Sequence, residues 1–319
     1  MQFFLAEQDN QILGRCNAFV NHNHNQYWND KVGFFGQFES IADPDVAGAL
    51  LDAASAWLKA QGMDTVRGPQ NLPVNEATPG CMTKGFDSRP VMYYHYNKPY
   101  YADLLLSCGF RPVKRTFSWE VRVQTSMEEK LDRLAQRLID RSGLKMETWS
   151  ERPLKIRRQE MFDIYNDAWS DNWGFVPFTR EEFDRVIDDL GFVMDKRLFL
   201  FIYINDEPVA FFGGVINLAE RLLPISWCPR CELLRGGKAI LTRKKATGFR
   251  VGYLGVKKKY RNLGLAGVMI WKQKQYAKAA GYEYADMGWV LEDNVQTIKL
   301  AEMMDAELSK EYTVFEKDL

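Results

Sequence analysis

The sequence predicts an α/β protein made of two mixed-sheet units in tandem. Three observations lead to this prediction: the length, an internal repeat and the order of strand and helix signals. The 319 residues suit about two domains of roughly 150 residues each. At an offset of 219 residues the segment 32–36 (VGFFG) matches 251–255 (VGYLG), and Gly62 matches Gly281. We therefore expect one fold to occur twice, with its elements in the same order.

The first unit combines alternating apolar stretches with one clear helix signal. Asp43 and Pro44 are typical of a helix start, and Gly62 is a terminator after apolar residues at every fourth position. The predicted elements are strands at 3–7, 14–20 and 32–36, a helix at 44–62, a strand at 64–68, a helix at 100–108 and a strand at 112–123.

The second unit repeats this order after an opening pair of helices. One helix covers 160–169, and the capping box that begins at Thr179 starts the next. The later elements are strands at 198–204, 209–216 and 251–255, a helix at 264–280, a strand at 282–290, a helix at 294–304 and a strand at 308–317. The first unit has no matching opening, so we expect it to be truncated, degenerate or completed by the other half.

A charged segment with apolar residues at helical spacing, 127–142, predicts a connecting helix between the units. The predicted organisation is a degenerate unit at 1–124, a connecting helix and linker at 125–150, and a second unit at 151–319.

Composition excludes several classes of protein. Apolar residues make up 46% of the chain and aromatic residues 13%, too many for a disordered protein. The 42 basic and 42 acidic residues cancel, so the basic excess of a nucleic-acid-binding protein is missing. The longest central apolar run, 198–204, is too short to span a membrane. Five cysteines and no signal-peptide pattern predict a cytoplasmic location with free thiols.

A basic segment between a strand and a helix is the strongest functional signal. It covers 256–267 (VKKKYRNLGLAG), with an Arg-x-x-Gly-x-Ala core at Arg261, Gly264 and Ala266. A helix start leaves N–H groups unpaired and carries partial positive charge, and small residues let a diphosphate approach it. The segment resembles the acyl-CoA pyrophosphate loop of the GNAT superfamily of N-acyltransferases, and the surrounding strand order agrees.

The resemblance covers both units. Further signatures similar to those of two-unit GNAT-like proteins are 165–169 (YNDAW) with 172–174 (NWG), 68–71 (GPQN), and Trp289 with 292–294 (EDN). The resemblance implies acetyl-CoA or a longer acyl-CoA as co-substrate. The residues that it implies for binding are Leu254, Val256, Arg261, Asn262, Leu263, Gly264, Leu265, Ala266, Gly267 and Asn294.

The first unit lacks the loop. At the repeat offset Arg261 corresponds to Ala42, Gly264 to Asp45 and Lys258 to Glu39, so carboxylates stand where a diphosphate would bind. We therefore expect one acyl-CoA site, in the second unit, with the first unit supporting it or forming a wall of the acceptor site.

Three residues are candidates for acid–base chemistry, which acyl transfer to an amine requires. The GNAT pattern brings Asp286 and Glu292 near the reaction centre, and Glu292 is our choice of base. A surface carboxylate at a helix start is the alternative interpretation of Glu292. Many GNAT enzymes have a Tyr acid seven residues beyond an Asn such as Asn294, where this chain has Ala301. The remaining candidates for the acid are Tyr312 and water. Alternatively, the thiolate departs without an acid.

Two other patterns carry weaker signals. His22 and His24 are interpreted as part of an exposed loop, and their spacing supplies no further metal ligands, so no metal site is predicted. Cys228 and Cys231 form a Cys-x-x-Cys in an insertion that only the second unit has. A redox motif of this kind lies where a strand ends and a helix begins, whereas this pair lies in an insertion. We therefore interpret the pair as incidental, in a loop that is a candidate lid.

Together these inferences predict a cytoplasmic N-acyltransferase that transfers an acyl group, by expectation acetyl, to a small-molecule or peptide amine between the two units. Two alternatives stay open. One is a GNAT-fold binding module without turnover, which Ala301 favours. The other is an aminoacyl transferase of the peptidoglycan-bridge type, against which the neutral charge argues. The acceptor, the acyl length and the oligomeric state are also open.

Overall fold

The computed structural model describes residues 1–72, 77–124, 132–133, 135–139, 143–191, 193–222 and 232–319. Its strands are β1 (Gln2–Gln8), β2 (Gln11–Val20), β3 (Val32–Ser40), β4 (Thr65–Gly68), β5 (Cys81–Lys84), β6 (Arg111–Arg122), β7 (Lys145–Thr148), β8 (Met194–Ile204), β9 (Glu207–Ile216), β10 (Gly248–Val256), β11 (Tyr284–Leu291) and β12 (Glu307–Asp318).

The α-helices of the described residues are α1 (His22–Trp28), α2 (Pro44–Ala60), α3 (Tyr101–Ser107), α4 (Leu154–Ala168), α5 (Arg180–Leu190), α6 (Ala219–Leu222), α7 (Glu232–Leu241), α8 (Leu265–Ala279) and α9 (Val295–Met303). Short 3₁₀ helices lie at Trp149–Glu151, Arg243–Lys245 and Lys258–Leu263.

The twelve strands of the described residues belong to one sheet, in the order β1-β2-β3-β4-β12-β6-β11-β10-β9-β8-β7, with β5 paired to β12 beside this path. The last strand of each unit therefore lies at the junction and pairs with the other unit. β12 pairs with β4 of the first unit, where Phe315 lies opposite Gly68. β6 pairs with β11 of the second unit, where Trp119 lies opposite Met287. The expectation of two tandem mixed-sheet units is confirmed, and β12 completes the first one.

Each unit contains one parallel strand pair joined by a crossover helix, as a mixed sheet requires. β3 and β4 are joined by α2, and β10 and β11 by α8. The helices begin differently. Asp43 caps α2 by accepting the Asp45 N–H at 2.9 Å. α8 instead follows Gly264, which has a φ of 70° and provides no side-chain cap.

Helices cover the two halves of the sheet unequally. α2 and α3 pack on β1–β4 around Leu50, Ala54 and Leu105. In the second half, α4 and α5 cover one face of the sheet around Ile164 and Phe183. α8 covers the opposite face, so that the second half has three layers.

Two features of the fold depart from the sequence analysis. Residues 22–24 belong to helix α1 rather than an exposed loop, because Asn21 caps the helix and His24 is buried 3.3 Å from Asp30. β5 and β7 are additional short strands. Of the predicted connecting helix, residues 132–133 and 135–139 are helical, and the rest lies outside the described residues.

Candidate functional site

The sheet opens between β10 and β11. These parallel strands pair from Gly248 opposite Tyr284 to Val251 opposite Met287, and the ladder ends there. β9 continues to pair with the other edge of β10 as far as Val256. The result is a wedge between two strands that start as neighbours, and a cleft follows this wedge.

Backbone donors face the wedge. In an antiparallel ladder, alternate residues direct their N–H groups to opposite edges of the strand. Lys257 donates to the Val209 carbonyl of β9 at 2.9 Å. The alternation therefore directs the N–H groups of Leu254 and Val256 toward the open side, where both residues line the cleft. These amides are available to an acyl carbonyl or a pantetheine-like chain.

The start of α8 forms one end of the cleft. Gly264 adopts the left-handed conformation that lets the 258–263 turn join the helix. Among the described residues, none accepts the N–H groups of Leu265, Ala266 or Gly267. An ideal Cβ built on Gly267 meets no atom within 4 Å, so open space surrounds this first turn. Unpaired amides with the helix dipole behind them are a favourable environment for an anion.

Arg261 adds a fixed positive charge beside this helix start. Its Nη2 donates to the Ala168 carbonyl at 2.6 Å, and its Nη1 lies 3.8 Å from an Asp171 carboxylate oxygen. Lys258 donates to Asp171 at 2.6 Å. The C-terminal end of α4 therefore positions the basic loop, and Arg261 and Ala266 both line the cleft.

The aromatic walls come from the connection after α4. Trp169 stacks on Tyr165 with ring centroids 4.8 Å apart. Its ring lies so close to β10 that a Cβ on Gly255 would overlap it. Trp169 and Asn172 line the whole length of the cleft, opposite Asn294 at the start of α9.

The closed end of the cleft receives a segment of the first unit, which we call the strap (residues 89–97). Tyr93 of the strap lines the cleft. Arg250 of β10 donates to the Met92 carbonyl at 3.1 Å, and Tyr94 donates to Asp286 of β11 at 2.7 Å. Asn217 accepts the Met92 N–H at 3.1 Å. The strap is therefore fastened to the second unit on both sides of Tyr93.

The corresponding wedge in the first unit is closed. Beyond the β3–β4 ladder, Gln70 donates its N–H to the Phe35 carbonyl at 2.7 Å. The Gln37 N–H donates to Asn71 Oδ1 at 2.8 Å. A Cβ on Gly36 would overlap the Gln70 carbonyl, so the strands touch where β10 and β11 diverge. Together with the Asp43 cap, this closure leaves the second unit with the open helix start and the open wedge.

Comparison with known proteins assigns the cleft to a family. Residues 158–305, from α4 to α9, match the model of the acetyltransferase (GNAT) family. A bacterial ceramide synthase of Caulobacter vibrioides is 30% identical over 337 residues, covering 100% of this chain and 84% of that protein. The chain belongs to the GNAT family. Protein YghO of Escherichia coli is 28% identical over 333 residues, covering 100% of this chain and 82% of its own length.

Solved structures share the fold over nearly the whole chain. A tandem GNAT protein from the clavulanic acid biosynthesis pathway superposes with a TM-score of 0.55 at 10% identity, covering 99% of this chain and 82% of its own. A GCN5-related N-acetyltransferase from Sphaerobacter thermophilus gives 0.56 at 11% identity, covering 97% and 78%. At these identities the likeness concerns the fold alone. The protein is thus a tandem GNAT chain whose family uses acyl-CoA.

The predicted binding residues of this GNAT chain occupy four kinds of position. Those that line the cleft are Leu254, Val256, Arg261, Ala266 and Asn294. Gly264 and Gly267 shape the helix start, whereas the Leu265 side chain is buried in the core below it. Asn262 and Leu263 lie exposed on the 3₁₀ turn. Asn294 also caps α9, since its side chain accepts the Thr297 N–H at 3.2 Å.

Glu292, the predicted base, lies outside the cleft lining. One carboxylate oxygen accepts the Arg115 N–H at 3.0 Å, and the other accepts Arg115 Nε at 2.8 Å. Burial raises the pKa of Glu292, but the hydrogen bonds from Arg115 outweigh it and hold the pKa below its ordinary value. Both carboxylate oxygens therefore bond to β6 and are not directed at the wedge.

Asp286 and Tyr312 are buried beneath the cleft. Asp286 accepts hydrogen bonds from Tyr94 at 2.7 Å and from Ser118 at 2.5 Å. Tyr312 is fully buried on β12, and its hydroxyl donates to the His95 carbonyl at 3.2 Å. Burial raises the pKa of Tyr312 far above its ordinary value. Ala301, at the position of the family's Tyr acid, is also fully buried. Asp286 and Tyr312 therefore hold the strap, Ala301 packs in the core, and none of the three lines the cleft.

Three polar residues that line the cleft were given no chemical role in the sequence analysis. Tyr93, Tyr253 and Thr297 are part of the lining. A signal for Tyr93 existed in its cluster of neighbouring tyrosines, but its partner in the second unit could not be identified from local pattern.

The remaining candidates add little to the site. Cys228 and Cys231 lie outside the described residues. The part of the chain that the structure describes contains no group of three or more His, Cys, Asp or Glu side chains able to hold a metal. None of the described helices has the length and apolar character needed to cross a bilayer.

Proposed function

We propose that this tandem GNAT protein transfers a long acyl chain from acyl-CoA to the amine of a long-chain amino alcohol. The amide C–N bond forms as the thioester C–S bond breaks, and CoA leaves as a thiol with the proton that the amine loses. The observation that carries acyl transfer is the open β10–β11 wedge leading to the uncapped start of α8, in the second unit. The substrate class draws on the relative named as a bacterial ceramide synthase, because a ceramide is the amide of a fatty acid and an amino alcohol.

The residues of the second unit suit the co-substrate. The amides of Leu265 to Gly267 and the Arg261 guanidinium would hold the diphosphate. The Leu254 and Val256 amides would hold the pantetheine arm and the acyl carbonyl. Bound acyl-CoA supplies a thioester whose acyl carbon is the electrophile. The stacked rings of Trp169 and Tyr165 would shield that carbon from water.

The acceptor would enter at the strap end. Tyr93, Trp289, Val215 and Arg250 line this part of the cleft, which combines aromatic and aliphatic side chains with a cationic group. The tyrosine hydroxyls and the Asn172 amide are suited to hydrogen-bond an amino alcohol. The same proposal locates the reaction in the cytoplasm, where acyl-CoA is available.

The test combines calorimetric titration with product analysis. Acetyl-CoA, octanoyl-CoA and palmitoyl-CoA are titrated in turn, and sphinganine is the acceptor whose amide is sought by mass spectrometry. We expect one-to-one binding of acyl-CoA and an N-acyl product that forms best with the longer chains. Binding without product from any chain would favour a binding module, and preference for acetyl-CoA would contradict the long-chain assignment.

A matched pair of variants tests the binding site. Gly267→Glu places a carboxylate in the open first turn of α8 without a steric clash. Gly48→Glu is the control, since Gly48 is the repeat equivalent in α2 and its Cβ would meet only Cys108 Sγ at 4.0 Å. We expect Gly267→Glu to weaken acyl-CoA binding about tenfold or more by charge repulsion, and Gly48→Glu to leave it unchanged. Equal affinities for the two variants would refute the assigned site.

A further inference from the structure

The insertion between β9 and β10 carries an unusual surface at its C-terminal end. We call it the basic tip: Lys238, Ile240, Leu241, Arg243, Lys244 and Lys245. Leu241 is 86% exposed, the highest value among the large apolar side chains of the described residues, and Ile240 is 42% exposed. All four basic side chains are exposed as well. An apolar pair therefore projects from a cationic surface.

The basic tip is an ordered projection of the fold. Ala239 and Ala246, on either side of the projecting residues, are 2% and 9% exposed and fix the segment against the protein. Thr242 Oγ1 donates to the Lys238 carbonyl at 2.7 Å and accepts from Arg221 Nε at 3.2 Å. Because backbone and neighbours hold the segment, the exposure of Leu241 is built into the structure.

The charge of the basic tip has no carboxylate partner within the described residues. None of its four basic groups forms an ion pair with a carboxylate in the described part of the chain. The whole chain has a formal net charge of zero, so this concentration of positive charge is a local feature. Such a surface attracts an anionic partner.

The same insertion contacts the strap at the acceptor end of the cleft. Asn217, at its N-terminal end, binds the strap through the Met92 N–H and the Pro90 carbonyl, at 3.1 and 3.0 Å. Arg221, four residues later, bonds to Thr242 in the basic tip. One connected insertion therefore joins the exposed surface to the wall that carries Tyr93.

We propose that the basic tip docks on a bilayer surface that contains anionic lipids. Ile240 and Leu241 would enter the interface, while the four basic groups would lie at the level of the headgroups. Exposed apolar residues beside the charges favour a lipid surface over a nucleic acid, which needs only the charges. The inference rests on the proposed function, because a long-chain amine and its amide product reside in a bilayer and must pass between it and the cleft.

Vesicle sedimentation with the intact protein tests the docking without any substrate. Vesicles of phosphatidylcholine alone are compared with vesicles of phosphatidylcholine and phosphatidylglycerol in a 3:1 ratio. We expect binding to the anionic vesicles that falls as salt is raised. Arg243→Glu/Lys244→Glu/Lys245→Glu should weaken it by about fivefold or more per charge, and Leu241→Asp should weaken it too. Equal binding of both vesicles, or no binding of either, would overturn the proposal.

The control is Ile12→Asp, which changes another exposed apolar residue, 65% exposed near the start of β2. It should bind anionic vesicles like the wild type, and a loss equal to that of Leu241→Asp would show non-specific adhesion instead. Vesicle binding is read without turnover, so failure of docking and failure of the proposed acyl transfer are separate results. If both hold, Leu241→Asp should lower the rate with acceptor in vesicles and spare the rate with a water-soluble short-chain amino alcohol.

Discussion

Glu292 shows how one ion pair can determine the role of a carboxylate at the end of a strand. A general base for an amine needs a pKa near the working pH and access to the proton that it removes. Both oxygens of Glu292 accept hydrogen bonds from Arg115, and these bonds hold its pKa below the ordinary value of 4.5. At the residue scale, the geometry therefore favours a structural role that fastens the end of β11 to β6.

We predict that Glu292→Gln lowers the free energy of unfolding measurably and reduces kcat only slightly. Loss of the charged partner of Arg115 should reduce the free energy of unfolding by about 1 kcal/mol, because the pair lies near the surface. The kcat should fall by less than about tenfold, whereas removal of a general base costs about a hundredfold or more. Urea unfolding and initial rates at saturating acyl-CoA measure the two effects.

Arg115→Gln is the matched control, since it removes the other half of the same pair. Both variants should lose similar stability and keep most of the activity. If Glu292→Gln alone loses kcat a hundredfold while it remains folded, Glu292 is the base after all.

The strap is the element through which the first unit takes part in the site. It forms hydrogen bonds with Arg250, Asn217 and Asp286, which all belong to the second unit. Tyr93 between them has a φ of 65°, a conformation that few non-glycine residues adopt. The shape of the acceptor end therefore depends on anchors that the acceptor does not touch.

We predict that Tyr94→Phe changes the acceptor site and spares the acyl-CoA site. The variant removes the hydroxyl that donates to buried Asp286, which should cost about 1–3 kcal/mol of stability. A loosened strap should raise the KM for the acceptor several-fold, while calorimetry should show an unchanged Kd for acyl-CoA. Tyr101→Phe removes a hydroxyl that accepts the Ser40 N–H within the first unit and makes no bond to the described part of the second unit, so it should lose stability without a change in KM. Equal KM values for the two variants would contradict a positioning role for Tyr94.

A buried cluster of ion pairs joins β7 to α4. Glu147 accepts hydrogen bonds from Arg152 Nε at 2.6 Å and from Arg157 Nη2 at 3.0 Å, and Arg157 is fully buried. Burial raises the pKa of Glu147, but the bonds from Arg152, Lys145 and Arg157 outweigh it and lower the pKa to about 2. Since the folded pKa lies below the ordinary 4.5, the stabilisation is complete above about pH 4.5 and is lost as the pH falls toward 2.

We predict that Glu147→Gln costs about 3 kcal/mol at pH 7, because it leaves buried arginine charge without its partner. The difference in free energy of unfolding between wild type and variant should shrink steadily as the pH falls from 5 to 3. Urea unfolding at pH 7, 5, 4 and 3 measures it. Glu39→Gln, in an exposed pair with Arg15, should differ little from wild type at any of these pH values. A difference that stays constant with pH would show that Glu147 is not held ionised by its partners.

At the scale of the whole molecule, local signals predicted most elements and failed where pairing is non-local. Apolar periodicity and caps such as Asp43 and Thr179 depend on neighbouring residues, so they are visible in sequence. The short helix α1 is rich in His and Asn and has no apolar residues at helical spacing, so the sequence did not predict it as a helix. The basic loop was predicted because its chemistry is local. The surroundings of Asp286 and Glu292 depend on β6, which the sequence does not mark as their neighbour.

The exchange of final strands between the units is the most consequential non-local feature. β6 and β12 are both extended segments that follow a helix, and nothing in their own residues identifies the unit that each will join. Phe315 of β12 is 2% exposed in the core formed by β1–β4, α2 and α3, together with Phe110. The first unit therefore depends for its core on the C-terminal strand of the chain.

This dependence predicts that the two units unfold together. Phe315→Ala should cost about 3–5 kcal/mol and lower the midpoint of one cooperative transition. Phe110→Ala, a substitution within the first unit itself, is the control and should behave alike. Acyl-CoA should raise the midpoint of both variants, because binding in the second unit stabilises the shared sheet as a whole. Thermal unfolding followed by far-ultraviolet circular dichroism and by tryptophan fluorescence measures this coupling. Two separate transitions, only one of them moved by acyl-CoA, would show instead that the exchanged strands leave the units energetically independent.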